Sequence, residues 1–413
     1  MGARRHGIRT QRIFGGLLIA LALATPARPS PARPAGQNAA APHEIVLPFP
    51  KQKALFEKLR VLEAWRLSKG SPDVLVGVID NGFDFFHPDL KEALLPGFYA
   101  PGGFHTEIYD NMAHGTAVAS LIAARGGPGS EMIGLAPGCR VLTASLGMIE
   151  QKLLKILNEL QAKNPKAEMA DFQKEMAQHA DELKKMAEEW PAYQAASTAA
   201  SIRYLVDHGV KVINFSGLMR KALIPSAPSW DALQAAFRYA AEKDVLIVSG
   251  AGNNAQECDD YPGDPATTLI AGACRLDGTR WEEEREIMGR KIKEGSNFGK
   301  RLSVMAPVDD LVVCAPHEAR FYAAADGPAG VSKGDFKGVY DLLPIGATSC
   351  AAPIVASLAA LVRGLRPDLG VPAVVEIVEQ GCEDIGEKGR DAFTGHGRID
   401  FLKTLQIANK YSR

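Results

Sequence analysis

The chain has 413 residues, of which 46% are hydrophobic and 23% charged, an ordinary globular balance that is sufficient for a large core. Its 47 Lys and Arg residues nearly cancel its 48 Asp and Glu residues, leaving a formal net charge of −1. This balance gives no electrostatic footprint for nucleic acid, so nucleic-acid binding is not expected.

The first 24 residues have the pattern of a secretory signal peptide. Four arginines precede an apolar run from Ile13 to Ala24, and the run ends in small residues as a signal-peptidase site requires. A run of about 12 residues is too short to span a bilayer comfortably, which favours export over the alternative of an uncleaved membrane anchor. We expect a secreted or periplasmic protein without a stable membrane span after cleavage. Residues 25–50, rich in Pro and Ala, are predicted to form an extended linker.

Residues 51–410 are predicted to form one domain in which short apolar strands alternate with helices. Helices are predicted over 114–124, 197–208 and 230–242. Strands are predicted over 74–79, 140–145, 211–215, 245–248 and 268–271. This alternation indicates an α/β fold with a mainly parallel sheet and helices on both faces, in which functional groups gather at the carboxyl ends of strands.

A long charged segment, residues 149–196, interrupts the alternation. Apolar residues spaced by three and four mark one helix face before Pro165 and another after it, which predicts a helical-hairpin insertion broken at that proline. Two interpretations remain open for residues 149–190. They form a solvated decoration of the body, or they form a lid or docking arm that serves a partner or self-regulation.

Six cysteines in a chain of this length do not make a disulfide framework. Export permits disulfides, and Cys258 with Cys274 is the first pair to test, because one short strand would separate them. Buried free thiols are the alternative.

Three reactive side chains stand at predicted element boundaries. Asp80 ends an apolar strand, where a carboxylate can be partly buried and still orient an imidazole. His114 opens a helix of small residues and is a candidate general base. Ser349 begins a second small-residue helix, whose N-terminus favours negative charge. Each has an ordinary structural explanation alone, but the chain order Asp, His, Ser is that of a known catalytic triad.

A fourth segment ends the strand at 245–248 with glycines and leads to Asn253. The side-chain amide of Asn253 is a candidate donor to an oxyanion, a contact worth about 3–4 kcal/mol of barrier in acyl transfer.

These motifs together resemble the subtilisin-like serine proteases (subtilases, peptidase family S8). The resemblance covers about residues 55–148 and 197–405, and the His and Ser motifs are the most specific. The matching segments are Asp80-Asn81-Gly82 with His87-Pro88-Asp89-Leu90, His114-Gly115-Thr116-Ala117-Val118-Ala119, Gly250-Ala251-Gly252-Asn253 and Ala347-Thr348-Ser349-Cys350-Ala351-Ala352-Pro353.

The resemblance implies a three-layer α/β/α fold and hydrolysis of peptide bonds through an acyl-enzyme, with protein or peptide substrates. It implies that Ser216 belongs to one substrate-binding edge. It also implies that Gly250, Ala251 and Gly252 line the first specificity pocket. No cofactor is required, and calcium is open because family members often bind it. No metal ligand is predicted, because no complete acidic loop is found. The acidic stretch Asp259, Asp260 and Asp264 is interpreted as solvated surface.

Four features depart from the family pattern. Asn81 replaces a Ser or Thr, and Ala347 replaces a glycine, which would cost energy if that position has a positive φ. The edge sequence Ser216-Gly217-Leu218 differs in order from the usual Ser-Leu-Gly. Too few residues lie between Ala24 and the first strand for the family's propeptide domain, so we expect folding assistance and self-inhibition to come from elsewhere, with residues 149–190 as the candidate.

Two other functions share most of these residues. One is a secreted binding protein on a catalytically impaired protease scaffold, with the insertion as its docking element. The other is a transpeptidase or macrocyclase of the same family. A lipase-like hydrolase is disfavoured, because the chain has no G-x-S-x-G elbow and the triad order differs.

Overall fold

A parallel sheet forms the central layer of the fold in the computed structural model. The structure describes residues 49–100, 113–146, 178–217, 219–224, 226–287, 290–316 and 340–412, with isolated positions at 163, 164 and 174. These residues belong to the unit Val46–Arg413. The predicted signal peptide and the linker up to residue 48 lie outside the described residues.

The described ranges contain eleven strands and eight α-helices. The strands are β1 Leu75–Asp80, β2 Leu94–Tyr99, β3 Arg140–Ser145, β4 Val212–Phe215, β5 Leu246–Gly250, β6 Thr268–Cys274, β7 Glu282–Ile287, β8 Arg290–Gly295, β9 Val304–Pro307, β10 Asp309–Cys314 and β11 Tyr340–Ile345. The helices are α1 Lys53–Lys58, α2 Val61–Ala64, α3 His114–Ala123, α4 Ala180–Asp207, α5 Ala227–Glu242, α6 Ala347–Leu365, α7 Val371–Gln380 and α8 Phe401–Lys410.

Seven strands form the central sheet in the order β2-β3-β1-β4-β5-β6-β9, and every neighbouring pair is parallel. Two antiparallel pairs, β7–β8 and β10–β11, lie outside this sheet. After β1 the chain adds β2 and β3 on one side of it and then β4, β5, β6 and β9 on the other side. The strand order therefore reverses between β1 and β4, and a crevice for ligands is expected at their carboxyl ends.

Alternate residues of the central strands enter two separate apolar cores. Val76 and Val78 of β1 join the core that contains α3 and α6, while Ile79 joins the core that contains α4 and α5. Because side chains along a strand point alternately to opposite faces, the sheet is buried on both sides. The predicted three-layer α/β/α fold is confirmed.

Among the described residues, one helix is long and apolar enough to cross a membrane, and it is α6, Ala347–Leu365. Its apolar window is 83% buried inside the protein. The apolar composition of α6 is therefore explained by its place in the core.

The five predicted strands are present as β1, β3, β4, β5 and β6, with ends within three residues of the prediction. Edge strand β2 was missed, since Pro96 and Gly97 interrupt its apolar pattern.

The helix predicted over 197–208 belongs to the longer helix α4, which begins at Ala180 and contains Pro191. The first part of the predicted hairpin, residues 149–162, lies outside the described residues, as does most of 165–177.

All six cysteines lie in the described part of the chain and are buried free thiols. The structure does not contain the Cys258–Cys274 disulfide, which was the first pair to test, and the alternative of buried free thiols holds. Both residues belong to one small apolar cluster, where they pack as hydrophobic side chains. Burial raises the pKa of Cys274 to about 12, which keeps this thiol protonated at neutral pH.

Candidate active site

Asp80 and His114 form a hydrogen-bonded pair at the carboxyl edge of the sheet. Asp80 is the last residue of β1 and His114 the first of α3. His114 Nδ1 lies 2.8 Å from Oδ1 and 2.9 Å from Oδ2 of Asp80. The Asp80 side chain is 3% exposed and that of His114 is 37% exposed. With Nδ1–H donating to the carboxylate, Nε2 is the nitrogen that can accept a proton.

The sequence around His114 allows α3 to approach β1 closely. A Cβ at Gly115 would lie 2.0 Å from the carbonyl oxygen of Gly82 and 3.1 Å from Cβ of Asp80. Only glycine fits at this position, which explains the glycine after the histidine. The Asp80 carboxylate is held further by the amide N–H of Asn81, 2.8 Å from Oδ1.

Ser349 lies in the first turn of α6 and exchanges hydrogen bonds with Ser216, which follows β4. Ser349 Oγ donates to the Ser216 carbonyl at 3.2 Å, and Ser216 Oγ donates to the Ser349 carbonyl at 2.9 Å. Asn214 Nδ2 donates to Ser216 Oγ at 3.0 Å. Ser216 is buried, and its side chain holds the backbone of the nucleophile candidate.

The two helices that carry His114 and Ser349 pack against each other. Strands β1 and β4, which end at Asp80 and just before Ser216, are neighbours in the sheet. Burial raises the pKa of Cys350 to about 12, and the charge of Asp80 raises it further in the same direction. Asp80 and His114 are in contact, and Ser349, which is bonded to Ser216 after β4, lies at the same carboxyl edge of the sheet, where the strand order reverses.

Both helices begin with an alanine in the left-handed region. Ala113, just before His114, has φ 54°, and Ala347, two residues before Ser349, also has φ 54°. A side chain there is strained by roughly 1–2 kcal/mol. The positive φ of Ala347 thus supports the expected cost in free energy of an alanine at this position. Such strain is typical of functional sites.

Asn253 is oriented by Thr348, the residue before Ser349. Thr348 Oγ1 donates to Asn253 Oδ1 at 2.6 Å, and the Thr348 amide donates to the same oxygen at 3.1 Å. Two donors on Oδ1 leave the NH₂ group as the outward end of the side chain. Thr348 Oγ1 also accepts the Gly252 amide at 3.1 Å. The sequence motif included Thr348, but its role in orienting Asn253 was missed.

Gly250, Ala251 and Gly252 connect β5 to Asn253. Gly250 is the last residue of β5, and a Cβ on it would lie 3.0 Å from the Thr348 carbonyl. The Ala251 carbonyl accepts hydrogen bonds from Tyr261 Oη at 2.7 Å and Asn297 Nδ2 at 2.9 Å. The glycine-rich loop is therefore fixed directly beside the first turn of α6.

Each carboxylate of the acidic stretch accepts a hydrogen bond from a different protein partner. Asp259 accepts the Arg301 amide, and Asp264 accepts the Ala266 amide. Asp260 accepts Arg220 Nε at 2.7 Å. Asp260 is therefore partly exposed and paired with an arginine. Burial alone would raise the pKa of Asp260, but bonds from the Ala222 amide and Arg220 hold it below its ordinary value.

His87, Asp89 and Cys314 form a buried group with candidate metal-ligand atoms within 4.8 Å of one another. Their atoms have protein partners already. His87 Nδ1 accepts the Asp89 amide at 3.2 Å, and Asp89 accepts Tyr340 Oη at 2.8 Å. Burial raises the pKa of Cys314 well above its ordinary value, so its sulfur is a thiol. These contacts describe a polar core cluster, and we assign it no metal.

The fold and the gathered side chains match the class of α/β serine hydrolases. A sequence profile described as the subtilase family matches residues 71–397. A probable subtilase-type serine protease of Deinococcus radiodurans is 26% identical over 431 residues, covering 96% of this chain and 49% of the relative. Mycosin-4 of Mycobacterium tuberculosis is 28% identical over 347 residues, covering 83% of this chain and 67% of the relative.

Among solved structures, that of a lanthipeptide protease superposes with a TM-score of 0.60 at 20% identity, covering 88% of this chain and 96% of the other. This likeness shows the fold. Because the profile spans well over half of the sequence, the chain belongs to the subtilase family, as the motifs predicted. The chain spans about half the length of the Deinococcus relative.

Proposed function

We propose that the protein is a secreted serine endopeptidase with Asp80, His114 and Ser349 as its catalytic triad. The observation that carries the proposal is the short, two-oxygen contact between His114 Nδ1 and the buried Asp80 carboxylate. This contact fixes the tautomer in which Nε2 is basic, next to the helix that presents Ser349.

In the proposed reaction, Ser349 Oγ attacks the carbonyl carbon of the scissile peptide bond and His114 Nε2 takes the serine proton. The imidazolium is stabilised by Asp80 and then protonates the leaving amine. Water, activated by the same imidazole, attacks the ester carbonyl and releases Ser349. Both steps pass through a tetrahedral oxyanion.

Two donors are available to that oxyanion. The Asn253 NH₂ group is turned outward because Thr348 occupies its carbonyl oxygen. The second donor is the Ser349 amide, which lies in the first turn of α6, where amides have no partner within the helix. The positive end of α6 adds to the stabilisation of negative charge.

Substrates are proposed to be proteins or peptides bound in an extended form. The Ser216 backbone would pair with the substrate as part of one edge. Gly250, Ala251 and Gly252 would form a wall of the first specificity pocket.

The test compares the purified protein with its Ser349→Ala variant. Both receive an unstructured protein substrate and a fluorophosphonate probe that labels activated serines. We expect cleavage and labelling of the wild type and loss of both in the variant. A Ser357→Ala variant is the matched control, because Ser357 lies in the same helix and donates only to the Pro353 carbonyl.

The same experiment separates the two alternatives. A folded wild type that neither cleaves nor labels would favour the impaired binding protein. A wild type that is labelled by the probe and, when an amine nucleophile is added, converts the substrate mainly to products that carry this amine would favour a transpeptidase or macrocyclase.

We extend the proposal to export and to residues 149–190. Export is supported by the N-terminal pattern, and N-terminal sequencing of the protein recovered outside the cytoplasm should begin after residue 24. A regulatory role for the segment is supported by α4, the helix that the last residues of the segment share with Tyr193, because Tyr193 Oη donates to the Leu146 carbonyl at 3.0 Å. The Leu146 amide donates to the Asp80 carbonyl at 2.9 Å. Unchanged folding yield and activity after deletion of 149–190 would refute this role.

A further inference from the structure

The loop that presents Asn253 is held by a second segment, Gly295–Phe298, which begins at the last residue of β8 and leads toward β9. The Gly295 amide donates to the Asn253 carbonyl at 3.0 Å, and the Asn297 amide donates to the Gly252 carbonyl at 2.8 Å. The backbone on both sides of the Asn253 side chain is thus tied to this segment.

The side chain of Asn297 makes three further hydrogen bonds to the loop. Asn297 is completely buried. Its Oδ1 accepts the amides of Asn254 at 3.0 Å and Gln256 at 3.1 Å, while its Nδ2 donates to the Ala251 carbonyl at 2.9 Å. These three bonds join residues before and after Asn253, so a single side chain spans the turn.

The turn needs this support because its conformation is unusual. Gly252 has φ 93° and Ala255 has φ 50°, so two of its residues lie in the left-handed region. Without Asn297 the amides of Asn254 and Gln256 would lose their buried partner at a cost in free energy, the Ala251 carbonyl would keep only Tyr261, and the turn would relax to recover the lost bonds. Any such relaxation moves Asn253, because Asn253 lies between the tied residues.

We infer that Asn297 is a positioning residue for the oxyanion donor Asn253, an inference that rests on the proposed function. It does not touch the substrate in this arrangement. It acts by fixing the loop, and Thr348 then fixes the rotation of the Asn253 side chain. Misplacement of a catalytic donor by about 1 Å can lower the rate about 100-fold.

The experiment is a double-mutant cycle on kcat with a peptide substrate. The variants are Asn253→Ala, Asn297→Ala and the combination. We expect Asn297→Ala to lower kcat by roughly 10- to 100-fold with little change in KM. In the Asn253→Ala background the same change should lower kcat less than about threefold, because residues acting as one unit are not additive.

A matched control and a conservative variant separate positioning from simple support of the fold. Ser303→Ala removes a buried hydroxyl that accepts the Ile270 amide at 3.1 Å, away from the loop, and should leave kcat unchanged. Asn297→Asp keeps an acceptor for both amides and should retain more kcat than Asn297→Ala. If the alanine variant does not fold, the cycle is run with Asn297→Asp.

Equal fold-losses from Asn297 substitution with and without Asn253 would overturn the inference and leave the proposed oxyanion role intact. A change confined to KM or to the unfolding midpoint would overturn it as well. If Asn253→Ala alone kept the wild-type kcat, the oxyanion role itself would fail and the positioning role with it.

Discussion

Replacing Ala347 by glycine tests whether backbone strain is stored beside the nucleophile. Ala347 has φ 54° at the start of α6, in a region that glycine enters without penalty. Relief of the strain is worth roughly 1–2 kcal/mol. Against this, glycine increases the entropy of the unfolded chain by about 0.4–1 kcal/mol, and a half-buried methyl is lost at up to ~0.8 kcal/mol. We therefore expect Ala347→Gly to lie between about 0.8 kcal/mol less stable and about 1.6 kcal/mol more stable, with the middle of the range at a gain of about 0.4 kcal/mol.

The matched comparison is Ala351→Gly, four residues later in α6. Ala351 is fully buried and lies inside the helix. Glycine there costs about 1 kcal/mol in helix propensity and ~0.8 kcal/mol for the buried methyl, and it relieves no strain. The two substitutions delete the same atoms, so a difference of about 2 kcal/mol between them isolates the conformational effect.

Both substitutions are made in the Ser349→Ala background, so that self-digestion cannot distort the unfolding curve. Guanidinium unfolding, followed by fluorescence, gives the midpoint and the slope for each variant. Equal destabilisation by Ala347→Gly and Ala351→Gly would refute the presence of strain at Ala347.

Three further predictions follow from the same contacts. Thr348→Val should lower kcat about tenfold at unchanged KM in a peptide assay, because Asn253 loses a donor that orients its amide. Ellman titration should find almost no reactive thiol in the native protein and six after unfolding, since every cysteine is buried and unpaired; fewer than six would indicate a disulfide. Asp260→Asn should be less stable than the wild type at pH 7. Because the pKa of Asp260 is lower in the folded protein than in the unfolded chain, its charged form stabilises the fold above the unfolded-state pKa. The difference in unfolding midpoint between Asp260→Asn and the wild type should therefore shrink below about pH 4.

The triad candidates could be predicted because each is marked by residues next to it in the chain. His114 is followed by Gly115, whose absent side chain lets α3 meet the turn after β1. Asp80 ends an unbroken apolar strand, and parallel strands end at one edge. In both cases the local sequence contains the physical reason for the position.

The contacts that orient Asn253 could not be predicted in the same way. Asn297 lies 44 residues after Asn253 in the chain, and no sequence pattern indicates that its side chain bonds to Ala251. Asp260 was likewise interpreted as solvated, because its partner Arg220 lies on a different loop. Long-range hydrogen bonds depend on the packed fold, and periodicity does not report them.

The first turns of α3 and α6 leave backbone donors without a side-chain cap. A missing cap does not by itself mark a reactive helix, because α1, α2, α4 and α7 also lack one, whereas α5 and α8 are capped by Ser226 and Asp400. Ala113 and Ala347 at the starts of α3 and α6 also lie in the left-handed region, as does Arg60 before α2. A cap is worth about 1 kcal/mol, so its omission together with the strain is costly. The nearly complete burial of α3 and α6 offsets the cost, and in the proposed mechanism a side-chain cap on α6 would compete with the oxyanion for the amides of its first turn.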